Sequence, residues 1–571
     1  MTYPANNTYP AINTYPAGGT TTPVDPGTPT PGGLTCDQVR AEIEAMERQF
    51  QKKMRSKVTI DVYDGNWSED SHQHVVGEIE GDCEEILNDT GESTIKMFAE
   101  HKLADWIDDE LDDDEDVHII ITIEGVRWSG LAADIIEQGT EDGKEYFTLQ
   151  CISEYEHMKR VVCYCNPFFA AEFQYPKLYA YAGPSVTGVK TLLFLNLLRR
   201  FAPLWALPEN LFDPSSWQDN LNPNNWPIVV MPGNVLTDTS MWTVLSTRMG
   251  MFHDVVAPTL SDAKLRIKLT RWMPGDVQPA PSHFTLTKPT LLVDVIDQSG
   301  YVGPSGTLLD GLLHFGSSVA ADLINEVNTA FNYNADEPEY QIPGFLGTVS
   351  EPRCVFRKAH RTGATGISSW ERHRIKSNAS IVITGGHSPD WVNTGLKLLV
   401  NGILGYIGAM FGNPGLTLGI FDSQIEDVVL AFHRVGNPIK QAKMGLRGPP
   451  LGEVFESSGG TGFSLTALQA IRVGMWRSRP MQTFKFTVRN GAPYWIGLDI
   501  DLGDRGLFEH GRRRKLHSER VHSRKAAWGR DRDAKWTMSI GDDKPIDQPG
   551  AVLARSVEQV RGIIQSVGVS S

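Results

Sequence analysis

Short runs of β-branched and alternating apolar residues recur along the whole chain: Val58 to Tyr63, Ile119 to Ile123, Tyr146 to Ile152, Lys264 to Arg271 and Phe484 to Val488. Successive side chains of an extended strand point to opposite faces, so each run has a face to bury and a backbone that needs a partner strand. A chain punctuated in this way folds into sheets. Its 571 residues, at about 150 per domain, correspond to roughly three or four domains, and 40% apolar content supplies the cores they need. We therefore expect a mixed α/β, β-rich multidomain protein with helical insertions. Lys57 to about Asn166 reads as a small twisted barrel with a helix near Leu103 to Leu111. The composition shifts divide the chain into a flexible Pro/Tyr/Thr-rich arm (1–35), a first β-rich region with an acidic loop (36–180) and a mixed helical and strand region (181–350). A second β-rich region (351–505) and a basic carboxyl-terminal extension (506–571) complete it.

Within this frame, Leu192 to Arg200 reads as a buried helix, and Thr239 to Phe252 as a second, capped by Asp238 or Thr239. Leu308 to Phe331 reads as one or two further helices, and Ile425 to Val435 as another, its acidic start complementing the exposed amides of a first turn. Val39, Ile43, Met46, Phe50 and Met54 keep the spacing of one apolar helical stripe. Leu291 to Ile296, Cys354 to Phe356 and Ile381 to Thr384 read as strands. Ahead of all of these, Thr-Tyr-Pro-Ala recurs at Thr2, Thr8 and Thr14, and prolines continue to Pro31. Repeated prolines remove backbone donors and favour extended conformers, so this arm reads as a tether or a tyrosine-based docking segment.

Charge is distributed in blocks. Between Asp61 and Glu145 there are 27 acidic residues against four basic ones, with eight acids in the nine positions from Asp108 to Asp116. That run lacks the spaced ligands, turn glycine and terminal Glu of a calcium loop, leaving a solvated acidic face or a weak cation site. From Arg505 to Lys535 the balance reverses, eleven basic to four acidic, with Arg512, Arg513, Arg514 and Lys515 in sequence. These arginines suit a partner's acidic surface or a phosphate. The formal net charge of -16 argues against a surface shaped throughout to hold nucleic acid.

Catalytic patterns are lacking. Gly183-Pro184-Ser185-Val186-Thr187 misses the glycine of a nucleophile elbow, and His517, Glu519 and His522 fit neither order of a zinc-protease helix. No phosphate-binding loop occurs. Cys151, His157, Cys163 and Cys165 form the nearest thing to a metal set, and their apolar neighbours suit buried free thiols equally. His72-Gln73-His74 has the same ambiguity. We expect no enzyme, no cofactor and no metal.

Leu398 to Phe421 contains 24 consecutive residues without a formal charge. Gly402, Gly405, Gly408, Gly412, Gly415 and Gly419 interrupt it, and Asn413-Pro414-Gly415 marks a turn. A buried core or oligomer contact, a tip that touches membrane during function and a resident span are the three readings, the first favoured by the glycines. Gly402, Gly405, Gly408, Gly412, Phe421, Asp427 and Arg434 are the candidate interface residues, and Arg512, Arg513, Arg514 and Lys515 the candidate anion or partner contacts.

Ile425-Glu426-Asp427-Val428-Val429-Leu430-Ala431-Phe432-His433-Arg434-Val435, Gly452-Glu453-Val454-Phe455-Glu456, Phe463 to Ala470, Gly474-Met475-Trp476 and Phe484 to Tyr494 together resemble the Gp37-like minor tail proteins of long-tailed actinobacterial phages. Leu103-Ala104-Asp105-Trp106, Gly125 to Gly130 and Leu149 to His157 extend the likeness more loosely over most of the chain. The resemblance implies a baseplate hub of barrel-like domains, a homotrimeric ring around the DNA exit channel at the distal end of the virion tail. Distal-tail or tail-tube proteins would lie above it and tail-tip or receptor-binding proteins below, with phage DNA passing through and host membrane touched transiently. It carries no catalytic set onto these residues. The alternative is a tail-associated glycan-binding or peptidoglycan-cleaving protein. Met1 to Pro31 has neither a basic flank nor an apolar run, so no secretory signal is expected and synthesis falls in the host cytoplasm.

Overall fold

A computed structural model describes residues 58–68, 70–112, 115–202, 222–302, 305–316, 349–350, 352–358, 366–376, 379–387, 432–436, 441, 452–461, 474–475, 477–478, 481–491, 494–511, 515–530 and 532–541. The chain parts into two compact units, Met1–Ser56 and Lys57–Ser571, and every described residue belongs to the second. The proline-rich arm, the stripe from Val39 to Met54 and the uncharged stretch 398–421 lie outside the described residues.

The first seven strands form a run of antiparallel neighbours. They are β1 (Thr59–Tyr63), β2 (Gln73–Val75), β3 (Glu80–Ile86), β4 (Glu92–Phe98), β5 (His118–Ile123), β6 (Val126–Gly139) and β7 (Glu145–Ser153). Glu124 and Gly125 turn β5 into β6 with φ of 50° and 78°, the left-handed pair that a two-residue hairpin requires. Between β4 and β5, α1 (Lys102–Glu110) buries Leu103, Ala104, Trp106 and Ile107 against the sheet, and the His101 ring accepts from the Leu103 amide at its start.

The middle of the chain builds a separate core. Its elements are α2 (Glu156–Lys159), β8 (Val162–Cys163), β9 (Tyr179–Pro184), α3 (Ser185–Phe201), β10 (Ile228–Val230), β11 (Trp242–Thr247), β12 (Gly250–Met251), α4 (Phe252–Asp262), β13 (Leu265–Trp272) and β14 (Thr290–Asp297). β14 lies between β10, parallel to it, and β13, antiparallel. Its apolar run is buried almost end to end because strands and α3 cover it. Asn196 is buried mid-helix in α3, donating to Leu192 O and accepting from the Tyr164 amide, and so fastens the helix to the preceding loop. Where a helix was expected from Thr239 to Phe252, the chain forms β11, paired with β9, and turns at Met249 with φ of 59° before α4 begins. The β-branched Thr243, Val244 and Thr247 favour the pleated neighbour over the helical stripe.

The last third returns to the first sheet. β15 (Tyr301–Val302) pairs β16 (Val349–Ser350), while β19 (Ile381–His387) lies between β20 (Phe432–Gly436) and β21 (Glu453–Thr461). β17 (Cys354–Phe356), β18 (Ile367–Ile375), β22 (Met481–Arg489), β23 (Arg505–His510), β24 (Lys515–Gly529) and β25 (Arg532–Ile540) extend the β1–β7 sheet through β24 and β3. The order is β18-β22-β25-β24-β3-β4-β7-β6-β5-β1-β2, with β17 and β23 beside the first half of β24. This corrects one expectation. Among the described residues the sheet is open at β18 and β2, and no sheet closes into a barrel, because β24 pairs with β3 and joins the two β-rich regions edge to edge. Strands β23, β24 and β25 bring basic residues into this sheet, and Trp528, Trp536 and Met538 carry β24 and β25 into its core. A second correction concerns the helix expected to Val435: Phe432 to Gly436 is strand, held by Ile381 to Gly385 of β19. Among the described residues helices are few, and none is long and apolar enough to cross a membrane.

A candidate charged junction between the two cores

Four charges from distant parts of the sequence meet where the middle region abuts the large sheet. Glu85 stands on β3, Arg266 on β13, Asp501 in the turn before β23 and Arg524 on β24. Arg524 donates through Nε to Glu85 Oε2 at 2.7 Å and through Nη1 to Asp501 Oδ1 at 3.1 Å, and its Nη2 also reaches Glu85. Arg266 Nη1 lies 2.7 Å from Asp501 Oδ2, and the same nitrogen donates to Leu502 O at 3.2 Å. Arg266 and Arg524 are both buried. Two guanidinium groups face two carboxylates, so the cluster carries no net formal charge and its members compensate one another's desolvation. Burial pushes the Asp501 carboxyl up, but the Arg524 and Arg266 charges and the Leu502 amide pull harder and hold it well below the usual carboxylate range.

A second buried pair flanks the first. Arg271 of β13 donates through Nε to Glu154 Oε1 at 2.8 Å, and its guanidinium stands 4.3 Å from the Trp67 ring, which stacks on His118 at 4.4 Å. Burial first, then the Arg271 charge, push His118 down to about 3, so it is neutral at pH 7. Asn88 completes the junction by imitating a strand partner: its Nδ2 donates to Leu265 O and its Oδ1 accepts from the Ile267 amide, each at 2.8 Å. Gln298 donates to Leu502 O at 2.7 Å, and Arg127 to Arg271 O at 2.8 Å. A cavity of about 40 Å³ lies among Glu85, Asn88, Arg127, Glu154, Tyr155 and Arg266.

This arrangement holds and orients. Arginines stay charged across the working pH range and present fixed forks of donors, suited to fixing geometry rather than to moving protons. The thiols are equally placed for packing: Cys83 and Cys151 lie in the core of the large sheet and Cys163 in the middle core, which separates the expected cysteine set. Burial pushes the Cys163 thiol up to about 12. His157 lies on α2, close to the charges of Glu154 and Arg271. His72 Nε2 and His74 Nδ1 both lie 2.9 Å from Asp61 Oδ1, as hydrogen-bond partners across β1 and β2.

Of the interface candidates, Arg434 is described, and its Nε donates to Glu453 Oε1 at 2.9 Å across the exposed face of the β20-β19-β21 sheet. Lys515 opens β24, exposed and opposite His510. Gly402, Gly405, Gly408, Gly412, Phe421, Asp427, Arg512, Arg513 and Arg514 lie outside the described residues. Sequence reading missed Glu85, Arg266, Asp501 and Arg524, which are scattered over more than four hundred positions. The one local signal was a charged residue at an inward position of an apolar strand, as Arg266 stands between Leu265 and Ile267.

The described residues thus form two separate apolar cores tied by buried ion pairs. Residues 59–542 match the model of the Siphovirus ReqiPepy6 Gp37-like protein family, and the chain belongs to that family. The match takes in 200–260 and 505–542, beyond the motifs that carry the resemblance in the sequence. The chain is 27% identical over 563 residues to Minor tail protein Gp28 of Mycobacterium phage L5, covering 87% of this chain and 92% of that one. It is 26% identical over 562 residues to Minor tail protein Gp28 of Mycobacterium phage D29, with the same coverage. Among solved structures, a tail protein from Neisseria meningitidis MC58 is similar at a TM-score of 0.34 and 10% identity, over 86% of this chain and 97% of that one.

Proposed function

We propose that this protein is a structural component of a phage virion, a minor tail protein whose copies form the hub ring at the distal end of the tail. The observation that carries this reading is the family match over residues 59–542, joined to likeness along 87% of the chain to minor tail proteins of two mycobacterial phages. The ring is a homotrimer around the DNA exit channel, bound to tail-tube proteins above and to tip or receptor-binding proteins below. Its role is assembly and, on contact with the host, opening for genome ejection. The continuity of one sheet across both β-rich regions supports this reading, since a large shared core resists force better than beads on linkers. The protein acts without catalysis.

Reconstruction of the intact tail tip tests the placement: density for this chain in a threefold ring on the tail axis is expected, and density away from the axis overturns it. Incubating the assembled protein with host envelope polymer tests the noncatalytic part. No turnover is expected, and turnover abolished by a single acid substitution would refute it in favour of a cleaving enzyme.

A further inference from the structure

β18 is the edge strand at one end of the large sheet; it pairs with β22, and no described strand lies on its other side. Trp370, Arg372 and Arg374 alternate along it on one face. Trp370 and Arg372 stand opposite Phe486 and Phe484 of β22, both buried in the core. That face therefore meets solvent at the rim of the core with an aromatic ring among cations. Trp370 is 38% exposed, with Lys358 Nζ 5.5 Å from its ring, and the Arg372 guanidinium lies 5.4 Å over Phe484. Arg374 and Lys376 are exposed.

The end of α1 carries the opposite charge. α1 finishes on Asp108, Asp109 and Glu110, and Asp112 and Asp116 follow before β5; all five are exposed. A helix C-terminus carries partial negative charge, so three acids in the last turn, with no basic residue among them, work against the helix that bears them. Local folding gives no reason for them. A sequence that breaks a local rule on an exposed element points to something outside the element.

We propose that the basic rim of β18 receives the acidic end of α1 from a second copy of this chain. Charge complementarity selects the occupant: one molecule carries both halves of the contact, and Trp370 supplies an anchor between them. Because the two halves are different surfaces of one chain, a head-to-tail contact uses both on every copy, the class that closes into a ring when its rotation allows. This rests on the ring reading above and names the surfaces that make it.

The test uses the purified full-length chain and sedimentation velocity over a concentration series. R374E/K376E and D108K/D109K should each weaken self-association by about tenfold or more, and the four substitutions combined should restore it. Folding is followed by thermal melting, and D108K/D109K should melt no lower than the parent, since lysines suit a helix C-terminus. Rings that both reversals leave intact overturn this contact and spare the ring. A chain monomeric at every concentration overturns the ring reading and the contact with it. Reversals that weaken assembly separately but fail to rescue each other, in chains that melt normally, overturn the pairing. A fluorescent single-stranded oligonucleotide bound by the parent and lost in R374E/K376E, with self-association unchanged, overturns the occupant in favour of nucleic-acid phosphate.

Discussion

Glu154 keeps a carboxylate at 2% exposure because Arg271, itself 4% exposed, meets it with two nitrogens. Removing one partner leaves the other charge buried and uncompensated, so Glu154→Ala should lower stability by about 3–5 kcal/mol in chemical denaturation. Replacing both, E154L with R271M, should recover most of that loss, because no charge is then left to desolvate. His118 gives the neighbouring site a pH dependence. Its folded value of about 3 lies below the ordinary 6.5, so between those values the unfolded chain binds the extra proton. Stability from this group is complete above pH 6.5 and declines as pH falls toward 3. Thermal melts should drop from pH 7 to pH 4, and H118Q should flatten that slope. An unchanged slope would assign the acid sensitivity to other buried imidazoles, such as His510, which burial pushes down to about 4; Asp501 contributes only at lower pH, below the ordinary carboxylate range.

Among the elements, β25 shows how the two halves of the large sheet become one. Trp536 is fully buried, its Nε1 donates to Ile123 O at 2.9 Å, and its amide donates to Glu124 Oε2 at 3.1 Å. The hairpin turn of β5 and β6 is thus held by a strand more than four hundred residues later. Trp536→Ala should cost about 3–5 kcal/mol, and the fluorescence and circular-dichroism transitions should shift together. If they separate, the halves fold independently. β1, β5, β7, β13, β14, β17 and β22 were legible as strands because burial on one or both faces writes itself as alternation or as an unbroken apolar run. Strands β23 and β24 were not, since charged residues interrupt their apolar pattern while partner strands satisfy their backbone.

At the scale of the whole molecule, the middle region and the large sheet keep separate apolar cores and meet through Asn88, Arg266, Gln298 and their partners. Polar contacts are directional and fix an angle where apolar contacts would allow sliding. Asn88→Ala should therefore show first at the junction: exchange of the Ile267 amide should rise by about tenfold, with β5 amides little changed. Uniform acceleration across both cores would mean that the junction and the cores open as one unit.

Local rules in the sequence determined the β-rich class, the apolar face of α1, the strand at Cys354 and the exposed acids after α1, because period, cap and charge act over a few residues. The motifs also carried the family resemblance. Tertiary structure decided what no short window contains: that β24 pairs with β3, that the sheet stays open, that Trp242 to Thr247 extends beside β9, and that Glu85, Arg266, Asp501 and Arg524 share one site. Long-range pairing is selected by the sum of burial and hydrogen bonding over the whole sheet. That sum overrides the helix signal of a few residues, and it places charges together that the chain keeps far apart.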